Sequence, residues 1–97
     1  MRHGLPIALV LLGLVAPASA QPALDGATIA RDVCAPCHSE AKGGPAPSFS
    51  AIARMPSTTR TAITVFLKTP HAPMPNIMLS EDEIDALADF ILSLRTN

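Results

Sequence analysis

The chain is 97 residues long, 48% hydrophobic and 15% charged, with ten prolines, five glycines, two cysteines and neither Trp nor Tyr. That length holds one domain at most. Seven basic against eight acidic residues leave a formal charge of −1, which disfavours a nucleic-acid-binding surface, and two cysteines exclude a scaffold built on several disulfides.

Residues 1–20 read as a secretory signal peptide. Arg2 and His3 make a short positive start, residues 5–15 are apolar apart from Pro6 and Gly13, and Ala18-Ser19-Ala20 is a small-x-small cleavage signal. The apolar run is about eleven residues, well short of the roughly twenty that span a bilayer, so a membrane anchor is the weaker reading. Cleavage is expected after Ala20, leaving a single domain over residues 21–97 in the periplasm. So small a chain builds a thin core and usually needs a staple, a metal or a cofactor. Phe49, Phe66 and Phe90 are its only aromatic residues, so something other than side chains is expected to fill the centre.

The first helix is expected over residues 25–35. Ile29, Ala30, Val33 and Cys34 form one apolar stripe, Asp25 is its N-cap, and Pro36, without an N–H, ends or kinks it. At its end stands Cys34-Ala35-Pro36-Cys37-His38. The pattern C-x-x-C-H is the attachment signature for c-type haem. Cysteines at i and i+3 project from one side of a helical turn, where they can reach two vinyl groups along one porphyrin edge. His38 is then carried under the macrocycle as proximal iron ligand. The other readings are weaker. A Cys34–Cys37 disulfide suits an oxidising compartment. A thioredoxin-like pair would want a βαβ setting. A zinc knuckle lacks ligands beyond His71.

Residues 39–56 are loop-like around Gly43-Gly44-Pro45-Ala46-Pro47, with a short helical turn expected over residues 48–54 that buries Phe49, Ile52 and Ala53. A helix is expected over residues 57–68, capped by Ser57, burying Ala62, Ile63, Phe66 and Leu67 and stopped by Pro70. Residues 71–79 are extended. They hold the candidates for a sixth iron ligand: His71, Met74 and Met78, with Met55 earlier in the chain. Met74 is the first choice because Pro73 and Pro75 stiffen the backbone on either side. Met78 is the second, although core filling is the ordinary use of a methionine and is the expectation for Met55 and Met78. A thioether favours Fe(II) and raises the reduction potential. The last helix is the clearest element: Ser80 and Glu83 make a capping box, and Ile84, Leu87, Ala88, Ile91 and Leu94 repeat at helical spacing. Five acids on this helix, Glu81, Asp82, Glu83, Asp85 and Asp89, suit its macrodipole. No segment alternates with period two, so an all-α chain is expected.

Together these residues resemble a class I (monohaem) cytochrome c of the small bacterial secreted type. The resemblance runs over residues 24–96. It rests on Gly26 eight residues before Cys34, the C-A-P-C-H motif, Gly44-Pro45, the run T-P-H-A-P-M-P at 69–75, and a final amphipathic helix. It implies a cytochrome c fold, with three to four short helices and Pro-rich loops wrapped around one covalently attached haem c. It further implies that the first and last helices cross, with Gly26 and Ala30 against Phe90. A proline carbonyl would orient the proximal His38, a role it assigns to Pro45, with Pro47 as the alternative. The chain departs from the family in having no Tyr or Trp for the haem propionates, which leaves Arg54, Arg60, His71 or solvent. Its connection from His38 to Met74 is also shorter than in mitochondrial members.

The expected function is that of a soluble, monomeric electron carrier with no catalytic residue and no small-molecule substrate. Its partners would be a periplasmic dehydrogenase and a membrane oxidase or reductase, docking transiently. An open-site haem enzyme or gas sensor is the alternative. A copper-handling protein using His71, Met74 and Met78 is a third reading, one that leaves the cysteine motif without a role.

Overall fold

A computed structural model of the chain describes residues 2–15, 25–41, 43–69 and 71–96. Ala18, Ser19 and Ala20 of the expected cleavage signal, and Pro70, lie outside the described residues. Residues 2–15 carry no helix or strand, and their apolar side chains, among them Leu5, Leu11 and Leu14, are exposed.

The described residues contain helices and loops and no strand. The first element is a single α-helical turn, α1 (Gly26–Ile29), whose N-cap Asp25 accepts a hydrogen bond from the Ala27 N–H. It continues as a π-helical turn over Ala30–Cys34, closed by a bond from the Ala35 N–H to the Ala30 carbonyl at 2.8 Å. The expected helix is therefore present but widened over its second half. The remaining helices are α2 (Phe49–Arg54), α3 (Arg60–Lys68) and α4 (Glu81–Ser93), the last running into a 3₁₀ turn over Leu94–Thr96.

Helix α4 organises the core. Its start is the expected capping box: Ser80 Oγ accepts from the Glu83 N–H, and the Glu83 carboxylate accepts from the Ser80 N–H at 2.7 Å. Its apolar stripe buries Ile84, Leu87, Ala88 and Ile91, the last three in one cluster with Ala30, Cys34, Phe49, Ala53 and Ile63. α1 crosses α4 at a point where no side chain fits. A Cβ built on Gly26 would stand 2.0 Å from the Ala86 carbonyl oxygen and 2.8 Å from Phe90 Cβ. The crossing expected of Gly26 and Phe90 is thus a backbone-to-backbone approach that glycine alone permits. Solvent-facing ion pairs, Lys68 with Glu81 and Arg60 with Asp89, join α3 to α4, each contributing about 0–1 kcal/mol.

Two expectations fail in α3. The helix begins at Arg60, with Thr59 rather than Ser57 as its N-cap. The cause lies one residue earlier, where Thr58 is buried and its hydroxyl donates to the Ile52 carbonyl of α2 at 2.6 Å. Its N–H also donates to the Met55 carbonyl at 3.0 Å, so Thr58 closes the turn after α2 and the helix starts beyond it. Arg95 closes the same turn from the C-terminal end, its guanidinium donating to the carbonyls of Ala53 and Thr58. The second failure is Phe66, expected in the core but 58% exposed. Ile63 takes the buried position, while Phe66 sits at the rim of the stripe and meets the His71 ring edge-on at 5.1 Å.

Candidate functional site

The turn after the π-helical segment gathers three side chains able to hold a cofactor. The Cys34 carbonyl accepts from both the Cys37 N–H at 3.1 Å and the His38 N–H at 2.9 Å. The chain is thereby wound tightly over residues 34–38, which keeps both sulfurs and the imidazole on one short arc. Cys34 is buried in the core cluster and Cys37 is exposed, and the two form no disulfide. Burial pushes the Cys34 thiol up from its ordinary value. That environment disfavours the free thiolate. Among the described residues no group of three or more His, Cys, Asp or Glu side chains could hold a metal ion, so residues 34–38 are not part of such a cluster.

His38 is oriented from the following loop. Gly43, with φ of 84°, turns the chain in a conformation that side chains resist. Gly44 passes so close that a Cβ there would lie 3.3 Å from the Cys37 carbonyl, and the same carbonyl accepts from the Ala46 N–H at 3.2 Å. Beyond that anchor the Pro47 carbonyl meets His38 Nδ1 at 2.7 Å. The carbonyl that meets Nδ1 is thus that of Pro47, the alternative, and not that of Pro45. Pro45 precedes the Ala46 anchor and Pro47 follows it, at the point where the chain turns into the Ser48 N-cap of α2. A carbonyl can only accept, so Nδ1 carries the proton, and in the neutral ring Nε2 then presents its lone pair. This is the tautomer in which imidazole binds a metal through Nε2. Against the face of the ring lies Phe49, its centroid 5.0 Å away with the planes 15° apart.

The other expected ligands lie in the loop before α4. The Met74 N–H donates to the His71 carbonyl at 2.8 Å. Met74, half-buried, lines a narrow cavity together with Phe66, Leu67, His71 and Ile77. Met78 is 85% exposed, with its sulfur 3.9 Å from the Asn76 amide nitrogen. Met55 is 43% exposed, so neither Met55 nor Met78 fills the core as expected. His71 Nδ1 is buried without a hydrogen-bond partner, an arrangement costing about 1–3 kcal/mol unless a polar group meets it. Of the candidates for the propionates, Arg60 is engaged by Asp89.

The donor set fits a c-type haem: two cysteines three residues apart on one turn, an imidazole whose Nδ1 is engaged by a backbone carbonyl, and a half-buried thioether in the loop before α4. What the sequence did not show is the Phe49 ring against His38 and the commitment of Thr58 and Arg95 to the α2–α3 turn. No pattern of spacing carries either, because both are contacts between segments.

Comparisons with known proteins agree with this chemistry. Residues 21–91 match the family model described as cytochrome c oxidase, cbb3-type, subunit III. A cytochrome c-552 from Bradyrhizobium diazoefficiens is 35% identical over 98 residues, covering 96% of this chain and 94% of the relative. No solved structure gives a significant match.

Proposed function

The chain belongs to the monohaem class I cytochrome c family, and on that premise we propose that it is a soluble periplasmic electron carrier with His38 and Met74 as axial iron ligands. Its cofactor is one covalently bound haem c, its fold is the all-α cytochrome c fold, and its work is haem electron transfer with redox proteins as partners. Bound, the haem supplies a one-electron Fe(III)/Fe(II) couple.

The protein's residues do the rest. Cys34 and Cys37 hold the group by thioethers. His38 gives the proximal nitrogen, with its ring fixed through Nδ1–H to the Pro47 carbonyl at 2.7 Å; a second-shell bond of this kind also raises ligand basicity. That bond is the observation carrying the reading, since it selects the tautomer that ligates iron. Met74 would supply a soft, neutral sulfur, a ligand that favours Fe(II). Were His38 and Met74 to hold the group in both oxidation states, little would rearrange as the electron moves. His71, whose Nδ1 lacks a partner, is the candidate to meet a haem propionate. Residues 1–20 act as a signal peptide cut after Ala20, and no helix among the described residues is long and apolar enough to cross a membrane. The partners are a periplasmic dehydrogenase as donor and a membrane oxidase or reductase as acceptor, met through a small transient interface.

A redox titration of the matured protein, repeated under carbon monoxide, tests this function. The expected result is one reversible one-electron couple and a ferrous form that leaves carbon monoxide unbound at neutral pH. Ready carbon monoxide binding would point to an open-site haem enzyme or gas sensor and would contradict Met74 ligation.

A further inference from the structure

The imidazole of His38 is met at two places by two residues of one short segment, Pro47 and Phe49. The Pro47 carbonyl takes its Nδ1–H at 2.7 Å. The Phe49 ring lies on its face, 5.0 Å between centroids and 15° from parallel. Between them Ser48 caps α2 by accepting from the Ala51 N–H, and Glu40 accepts from the Ser50 N–H at 3.1 Å, tying the start of α2 to the segment just after His38. Phe49 is 8% exposed and belongs to the core cluster, so its ring is set by packing from behind.

One hydrogen bond does not fix a ring. It fixes a point on the ring edge and leaves the plane free to rock about the Nδ1···O line. A flat contact on the face removes that freedom. We infer that Phe49 is a positioning residue for His38, setting the plane of the imidazole while Pro47 sets its direction. The inference rests on the reading of His38 as iron ligand. With haem bound, a ring plane held by the core would present one fixed imidazole orientation to the iron, the same in both oxidation states.

Nuclear magnetic resonance of the matured, haem-loaded protein tests this, with Phe49→Leu and Phe49→Tyr beside the wild type and a melting curve for each. In the ferrous wild type, the Phe49 and His38 ring protons are expected to show a direct nuclear Overhauser contact. In the ferric state, Phe49→Leu is expected to redistribute and broaden the paramagnetically shifted haem methyl resonances, while Phe49→Tyr, which keeps a flat face, retains the wild-type order. A Phe49→Leu spectrum superposable on the wild type overturns the inference whatever its melting temperature. Should Phe49→Leu fail to fold, absence of the Overhauser contact in the wild type overturns it equally. Failure of the underlying reading has a different signature: a colourless protein, or His38 ring protons free of any haem-induced shift.

Discussion

Met74→Ala is expected to abolish the sulfur-to-iron charge-transfer band of the ferric protein, lower its reduction potential, and let the ferrous form bind carbon monoxide. Axial ligands move haem potentials over roughly 0.8 V in all. Exchanging a soft thioether for water or an empty position is expected to use a substantial part of that range, because it removes the ligand that favours Fe(II). Haem attachment is expected to persist, since Cys34, Cys37 and His38 lie on a turn closed by its own hydrogen bonds to the Cys34 carbonyl. Met78→Ala is the matched control. With that side chain 85% exposed, its absorption spectrum and potential are expected to match the wild type. A charge-transfer band that survives in Met74→Ala and vanishes in Met78→Ala would exchange the two assignments.

Gly26→Ala is expected to be the most damaging single-methyl change in the fold. The added carbon would stand 2.0 Å from the Ala86 carbonyl oxygen and 2.7 Å from its carbonyl carbon. Both are backbone atoms in the middle of α4, so no side chain can swing aside and α1 has to lift away. Overpacking of this kind costs about 1–3 kcal/mol and occasionally more, against a total stability of about 5–15 kcal/mol for a folded domain. The haem-loaded variant is expected to melt on the order of 10 °C or more below the wild type, as followed by circular dichroism. The reason for so large an effect is local: α1 is a single turn, and the crossing is what docks it onto α4. An unchanged melting curve would mean that the two helices do not meet as described.

Features written in local chemistry were legible in the sequence. The capping box of Ser80 and Glu83, the N-cap at Asp25, the apolar stripe from Ile84 to Ile91 and the C-x-x-C-H turn each depend on residues within one or two helical turns, and each lies where its pattern puts it. The misjudged features depend on a second segment. Ser57 has good N-cap chemistry, but Thr58 is drawn into a bond with Ile52 and moves the helix start to Thr59. Pro45 and Pro47 are equivalent in sequence. Only the Ala46 bond to the Cys37 carbonyl separates them, and it leaves Pro47 against His38. Phe66 has the period of a core residue, yet it stands at the rim, where it meets His71 instead of α4. The π-helical widening over Ala30–Cys34 has no sequence signal that periodicity could detect, since the apolar stripe reads the same for either helix.

The core has one economy that bears on function. Among the described residues, the buried ones are small or aliphatic apart from Phe49, and Leu87 is the one large side chain that is fully buried. Phe49 lies against the His38 imidazole and Cys34 belongs to the same cluster, so on the proposed reading the packing that stabilises the fold would also orient the iron ligand and seat one thioether. On that reading a change at Phe49 is expected to be read in both stability and redox chemistry.

The most direct measurement is the intact mass of protein secreted from cells equipped for haem maturation, followed by mapping of the peptide that contains residues 34–38. The account predicts a chain beginning at Gln21 that carries one haem, with neither Cys34 nor Cys37 open to alkylation. A colourless chain with both thiols alkylated, or with the two joined as a disulfide, would contradict it.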